Sequence, residues 1–146
     1  MQSTVTRPAL WIGATDDGEL GLARESIGRT LAAWQTPLRE FTSPCEATAW
    51  AAEAPATPSV ALLATDWPAR WTLADTVALS RAWPLMPIVS VAGSLVDGRR
   101  RSGPPLPGVE EVPWYDLSGR LESWFTAWRA GKPGTLTNPS TARRDE

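Results

Sequence analysis

Three aspartates and a serine are the side chains whose types and spacing suggest chemistry. Asp16 and Asp17 follow an apolar run at residues 9–13, Asp66 follows a second run, and Ser94 follows a third. If these runs are parallel strands, their carboxyl ends share one edge of a sheet, where open α/β sheets bind ligands. Carboxylates clustered there could hold a hard cation such as Mg²⁺, which prefers oxygen ligands. The alternative is that Asp16 or Asp17 only caps a helix and Asp66 only forms a turn.

A run of arginines is the second group with chemical potential, because guanidinium groups pair well with phosphate and other anions. It lies within residues 93–108, where repeated glycines and prolines forbid helix and strand alike. We predict an anion- or partner-binding loop formed by Ser94, Asp97, Arg99, Arg100 and Arg101. Two alternatives remain open: a solvated loop that crosses the sheet edge, and a polyproline ligand of the R-x-x-P-x-x-P type.

The composition excludes several kinds of site. The 146 residues include no histidine, the commonest general base and metal ligand, and one lysine, Lys132. Cys45 is the only cysteine, so it forms no internal disulfide and has no histidine to activate it. We expect it to be a buried or half-buried residue of a helix. There is no glycine-rich phosphate loop either. We therefore predict that the protein is not an enzyme and that it binds no cofactor other than Mg²⁺.

Charge and tryptophan content narrow the choice of partner. The net charge of −2 provides no general attraction to nucleic acid or anionic membranes, and no apolar run reaches the length of a membrane span. One cysteine and the absence of a signal-peptide pattern suggest the cytoplasm. Nine tryptophans are many for this length, and tryptophan fills cores or anchors interfaces. We predict a protein partner or a homodimer, with Trp114, Trp124 and Trp128 in the interface.

Predicted strands and helices alternate along the chain and would position these residues. Apolar runs predict strands over residues 9–13, 38–41, 59–64, 88–92 and 109–114. Helical spacing and end signals predict helices over about 20–34, 44–53, 73–83 and 117–130. In each helix, the apolar residues that recur at helical spacing predict the face that packs against the sheet. In the third helix these residues are Leu73 and Val77, together with Ala74 and Ala78.

This alternation predicts a three-layer α/β sandwich around a five-stranded parallel sheet. Right-handed crossovers favour the flavodoxin-like strand order 2-1-3-4-5. Where a fourth helix would join strands four and five, the sequence has the Gly/Pro/Arg loop instead. We predict a single domain over residues 1–131 and a disordered tail over residues 132–146, which are rich in Pro, Ser, Thr and charge.

By its order of elements and its acidic pair after strand one, the chain resembles the receiver domain of two-component response regulators over residues 8–131. The resemblance implies that Asp16 and Asp17 bind Mg²⁺ and that Asp66 is the candidate phosphoacceptor. Asp66 comes one or two residues later than the family's usual position, which falls at Ala64 or Thr65. Ser90 or Ser94 would supply the hydroxyl group that ends strand four in the family.

The family's lysine at the end of strand five has no counterpart, since residues 110–114 are Glu-Glu-Val-Pro-Trp. The resemblance is therefore to a degenerate receiver of the bacterial cytoplasm. It implies a non-catalytic pseudo-receiver that acts as a protein-interaction or signalling module. One alternative is an atypical receiver that responds to phosphorylation or Mg²⁺ through Asp66. Another is a small-molecule-binding or enzymatic domain on the same fold.

The loop is also similar to that of uncharacterised receiver-like proteins of planctomycetes. That similarity is carried by the loop's glycines, prolines and polar residues and by the aromatic strand end that follows. The matching residues are Gly93, Ser94, Asp97, Gly98, Arg101, Ser102, Gly103, Pro105, Pro107, Gly108, Trp114 and Tyr115. It implies no particular activity.

Overall fold

A single parallel sheet organises the chain. The computed structural model describes residues 7–13, 18–53, 57–65, 70–93 and 108–131. In chain order these residues form β1 (Ala9–Ile12), α1 (Gly18–Ala33), β2 (Leu38–Phe41), α2 (Pro44–Ala51), β3 (Val60–Thr65), α3 (Leu73–Ala82), β4 (Ile88–Ala92), β5 (Val109–Pro113), a 3-10 turn (Trp114–Asp116) and α4 (Leu117–Arg129). The strand order is β2-β1-β3-β4-β5, all parallel. The predicted flavodoxin-like sandwich is confirmed.

Two further predictions fall on parts of the chain outside the described residues. The loop expected in place of a fourth helix between β4 and β5 covers residues 93–108, of which only Gly93 and Gly108 are described, and the expected tail covers residues 132–146. Both stay predictions. Within the described ranges, no helix combines the length and the apolar character that crossing a membrane requires.

The inner and outer strands of the sheet differ in burial. β1, β3 and β4 are buried at every position, as continuous apolar runs predict for strands covered on both faces. Their alternate side chains enter two cores, one beneath α1 and α4 and the other beneath α2 and α3. The outer strands carry charge instead: Arg39 and Glu40 are exposed in β2, and Glu111 in β5.

α1 and α4 pack side by side as their spacing predicts. The buried residues of α1 are Leu20, Ala23, Ile27 and Leu31, and those of α4 are Leu117, Leu121, Trp124 and Phe125. The hydroxyl groups of Ser26 and Ser118 join the two helices, with 2.6 Å between their oxygens.

Aspartate directly before an apolar helical pattern predicts a cap, so the sequence predicts that Asp116 caps α4, but the structure differs. The Asp116 carboxylate makes no capping hydrogen bond and instead accepts from Nε of Arg120, 3.2 Å away and one turn further on. Asp116 ends the 3-10 turn with φ −105° and ψ 0°, whereas a capping side chain needs an extended backbone.

α3 packs through a different face from the predicted one. Thr72 with Asp75 three residues on predicts a capping box at its start, and the structure confirms this: the two residues form a reciprocal capping box with N···O distances of 2.9 and 3.2 Å. The buried residues, however, are Thr76 and Leu79, whereas Leu73 is 54% exposed.

The prediction that Leu73, Ala74, Val77 and Ala78 point inward is therefore wrong: Val77 is half-buried and the other three are exposed. Trp83, the residue after the helix, is buried in the same core as Leu79, which is consistent with this rotation of the helix. Thr76 can be buried because its hydroxyl donates to the Leu73 carbonyl at 3.0 Å.

Cys45 is also placed differently from the expectation. It is exposed, so the prediction of a buried or half-buried thiol is wrong. α2 packs inward through Pro44 and Ala47, three residues apart on one face, and Cys45 lies on the opposite side of the helix.

Candidate functional site

The candidate site is the carboxyl edge of the sheet between β1 and β3, where the strand order reverses. The predicted Mg²⁺ ligands and loop residues lie outside the described residues; they are Asp16, Asp17, Asp66, Ser94, Asp97, Arg99, Arg100 and Arg101. Their convergence on this edge stays a prediction. The structure does place five other residues there or just beneath it: Gly13, Glu19, Thr65, Trp71 and Ser90.

A buried pair of hydroxyl groups lies beneath this edge, one at the end of β3 and the other in the middle of β4. Thr65 is the last residue of β3, and its Oγ1 lies 2.7 Å from Oγ of Ser90 and donates to the Leu63 carbonyl at 3.0 Å. Because the Thr65 proton goes to Leu63, the Ser90 hydroxyl donates to Thr65. The end of β3, where the resemblance expects a phosphoacceptor, thus holds a hydroxyl group bonded inside the domain.

An indole lies across the ends of β1 and β3. Nε1 of Trp71 donates to the Ala64 carbonyl at 3.2 Å. A Cβ added to Gly13, the residue after β1, would lie 3.2 Å from Cζ2 of that ring and 2.8 Å from Cβ of Ala64. Gly13 has a φ of +128°, a backbone conformation that favours glycine. Glycine at this position therefore lets the ring approach both strand ends.

A carboxylate also reaches this edge. Glu19 lies in the first turn of α1, and its Oε1 would be 3.3 Å from a Cβ on Gly93, the residue after β4. Among the residues that the structure describes, no three His, Cys, Asp or Glu side chains are close enough to hold a metal ion. A Mg²⁺ site at this edge would therefore depend on Asp16, Asp17 or Asp66.

Sequence reasoning missed both Trp71 and Glu19. Glu19 had the same signal as Asp16 and Asp17, an acid between an apolar strand and a helix, at a slightly greater distance from the strand. Trp71 was one of nine tryptophans. Two features of the sequence could have pointed to it. One is the glycine directly after strand one, and the other is the position of Trp71 directly before the capping residue Thr72.

The three tryptophans predicted for an interface occupy different environments. Trp114 follows the end of β5, where Pro113 pairs with Ala92 of β4, and it is half-buried against the core beneath α1 and α4. Trp128 is half-buried at the other end of α4, 5.3 Å from Phe125 between ring centroids. Trp124 is only 3% exposed and belongs to the core, so its side chain has almost no surface to offer a partner.

Comparison with known proteins supports the fold. No protein-family model and no curated protein matches the chain, whereas twelve chains of solved structures do. One of these is described as the structure of a transiently phosphorylated "switch" in bacterial signal transduction. The match has a TM-score of 0.53 and 18% identity, and covers 85% of this chain and 98% of the other. The chain thus has a receiver-like fold, and at this identity the likeness establishes the fold alone.

Proposed function

We propose that this chain is a pseudo-receiver, a signalling module that acts through protein contact and accepts no phosphoryl group. The observation that carries the proposal is the composition of the strand ends on a receiver-like fold. β3 ends in the internally bonded Thr65, and β5 ends in Pro113 followed by Trp114. Phosphoryl transfer needs positive charge to stabilise the transferring group, and a proline and an indole supply none at the end of β5.

Protein contact is supported by an aromatic surface at the start of α4. Tyr115 is 67% exposed, and its ring meets the half-buried Trp114 ring edge-on at 5.8 Å. The 3-10 turn that carries both residues contacts α1, where Leu22 is also exposed. Tyrosine and tryptophan are enriched at the centres of protein interfaces. We propose that this aromatic surface, Trp114 and Tyr115, binds another protein or a second copy of the chain.

The test of the pseudo-receiver is a titration with Mg²⁺ and then beryllofluoride, a phosphoryl mimic, followed by tryptophan fluorescence. We expect the wild type to respond no more than the Asp66→Ala control, because Pro113 and Trp114 at the described end of β5 supply no positive charge for the mimic. Circular dichroism would confirm that both proteins are folded. A saturable response that the Asp66→Ala variant loses would overturn the proposal.

A second candidate function is an atypical receiver switch, in which Asp66 accepts a phosphoryl group beside Mg²⁺ held by Asp16 and Asp17. The observation that favours it is Glu19, a further carboxylate that approaches Gly93 at the same edge. Arg99 to Arg101 would then have to supply the missing cation. The beryllofluoride titration separates the two functions, since only this one predicts a response that depends on Asp66.

The setting that we propose is the bacterial cytoplasm. The matched structure comes from bacterial signal transduction, as its description says. The exposed, unpaired thiol of Cys45 suits a reducing compartment. The similarity of the loop to planctomycete proteins stays a prediction.

A further inference from the structure

The crevice between β1 and β3 is filled by a side chain of the same protein. In sheets of this order, the crevice outside the strand ends is the usual place for a ligand. Here the six-membered ring of Trp71 lies against Gly13 on the β1 side, and its N–H group reaches Ala64 on the β3 side. The indole therefore spans the two strands at the point where the sheet reverses.

The indole donates to a backbone carbonyl just beyond the described pairing of β1 and β3. Pairing between β1 and β3 ends at Ile12 and Leu63. The Thr65 carbonyl accepts from the Gly93 amide on the β4 side, and carbonyl groups alternate along a strand. The Ala64 carbonyl therefore points to the β1 side, one residue beyond the last pair. The Trp71 N–H group donates to it there, as a strand amide would.

Two features hold the ring in this position. The capping box fixes Thr72 at the start of α3, so the residue before it is anchored to a rigid element. Gly13 has no side chain to compete for the same space. In this position the Trp71 side chain is half-buried.

We propose that this crevice is a binding site for a flat aromatic ring that carries an N–H donor, and that Trp71 is its built-in ligand. While Trp71 is in place, the crevice is closed to other molecules. The inference depends neither on Asp66 nor on a protein partner, so it stands or falls separately from the pseudo-receiver function.

The experiment is chemical complementation of a Trp71→Ala variant by free indole. Isothermal titration calorimetry should show saturable binding of indole to the variant and none to the wild type, and indole should raise the variant's melting temperature. Benzofuran has the same shape with oxygen in place of the N–H group. One hydrogen bond to Ala64 predicts that indole binds about fivefold more tightly than benzofuran.

A Trp34→Ala variant is the matched control. Trp34 is also half-buried, but it lies beyond the end of α1 and packs against Phe125 with Arg129 over its ring. Loss of Trp34 should give no preference for indole over benzofuran. The proposal is overturned if the wild type binds indole as well as Trp71→Ala does, if folded Trp71→Ala binds none, or if both cavities prefer indole equally.

A second measurement covers the case in which Trp71→Ala does not fold. In the wild type, the indole N–H signal of Trp71, assigned by its loss in Trp71→Phe, should exchange with solvent more slowly than that of an exposed tryptophan. Exchange as fast as that of an exposed indole would mean that the ring does not stay in the crevice, and would overturn the proposal.

Discussion

Gly13 determines how closely the side chains at the sheet edge can approach one another. A Cβ there would lie 2.8 Å from Cβ of Ala64, and its φ of +128° strains any other residue. We predict that Gly13→Ala lowers the free energy of unfolding by about 2–3 kcal/mol, measured by urea denaturation.

Gly28 provides the control for this prediction. It lies within α1, and a Cβ added there would meet nothing within 4 Å. Gly28→Ala should raise the free energy of unfolding by about 0.5–1 kcal/mol, because alanine favours a helix interior. Similar losses for both substitutions would contradict the close approach at Gly13.

The hydroxyl groups of Thr65 and Ser90 form a pair whose energetics can be measured. Each of Thr65→Val and Ser90→Ala should cost about 1–2 kcal/mol, because the remaining hydroxyl is buried with one partner fewer. The double variant should cost less than the sum, since removal of both groups leaves neither without its partner. Urea denaturation of the wild type, the two single variants and the double variant completes this double-mutant cycle. Strictly additive losses would show that the hydroxyl groups do not interact.

α3 offers a direct test of its orientation, at the scale of an element. Leu79→Ala should lower the free energy of unfolding by about 2–5 kcal/mol, because it leaves a cavity in the core. Leu73→Ser on the exposed side should change it by less than about 0.5 kcal/mol. Thermal and urea unfolding of the two variants would give the comparison. The reverse ranking would restore the face that the sequence predicts.

The elements that could be predicted from sequence are those whose signals are local. A continuous apolar run predicts the strand at residues 59–64. Ser43 followed by Pro44 predicts the start of α2, and in the structure the Ser43 hydroxyl accepts from the Glu46 amide at 3.2 Å. Strand order followed from the handedness of crossovers, a general property of the chain.

Features that depend on distant partners could not be predicted. α3 is rotated so that Leu79, and Trp83 just past the helix end, lie in a core with residues from β1, β3 and β4. At the candidate site, the contact of Trp71 with Gly13 arises only when the sheet brings β1 and β3 together. The predicted cluster of Asp16, Asp17 and Asp66 stays a prediction, because all three lie outside the described residues; the carboxylate that the structure does describe at this edge is that of Glu19.

At the scale of the whole molecule, we expect one aromatic residue, Trp124, to matter for stability and another, Tyr115, to matter for association. Trp124→Ala should lower the free energy of unfolding by about 3–5 kcal/mol, because the ring is in the core. Tyr115→Ala should leave the melting temperature almost unchanged but abolish concentration-dependent association in sedimentation velocity, if the partner is a second copy. An equally associated Tyr115→Ala protein would remove this residue from the contact.

The charges on the two outer strands limit how such a module can meet any partner. β2 exposes Arg39 and Glu40, and β5 exposes Glu111 and ends in Pro113. Unpaired strand edges invite another strand to add on and can lead to fibre growth, whereas charged side chains and proline oppose both. The sheet is therefore protected from extension at either margin. Recognition by strand addition, common for peptide ligands, is disfavoured here, so the protein contact that we propose would use the helices and turns.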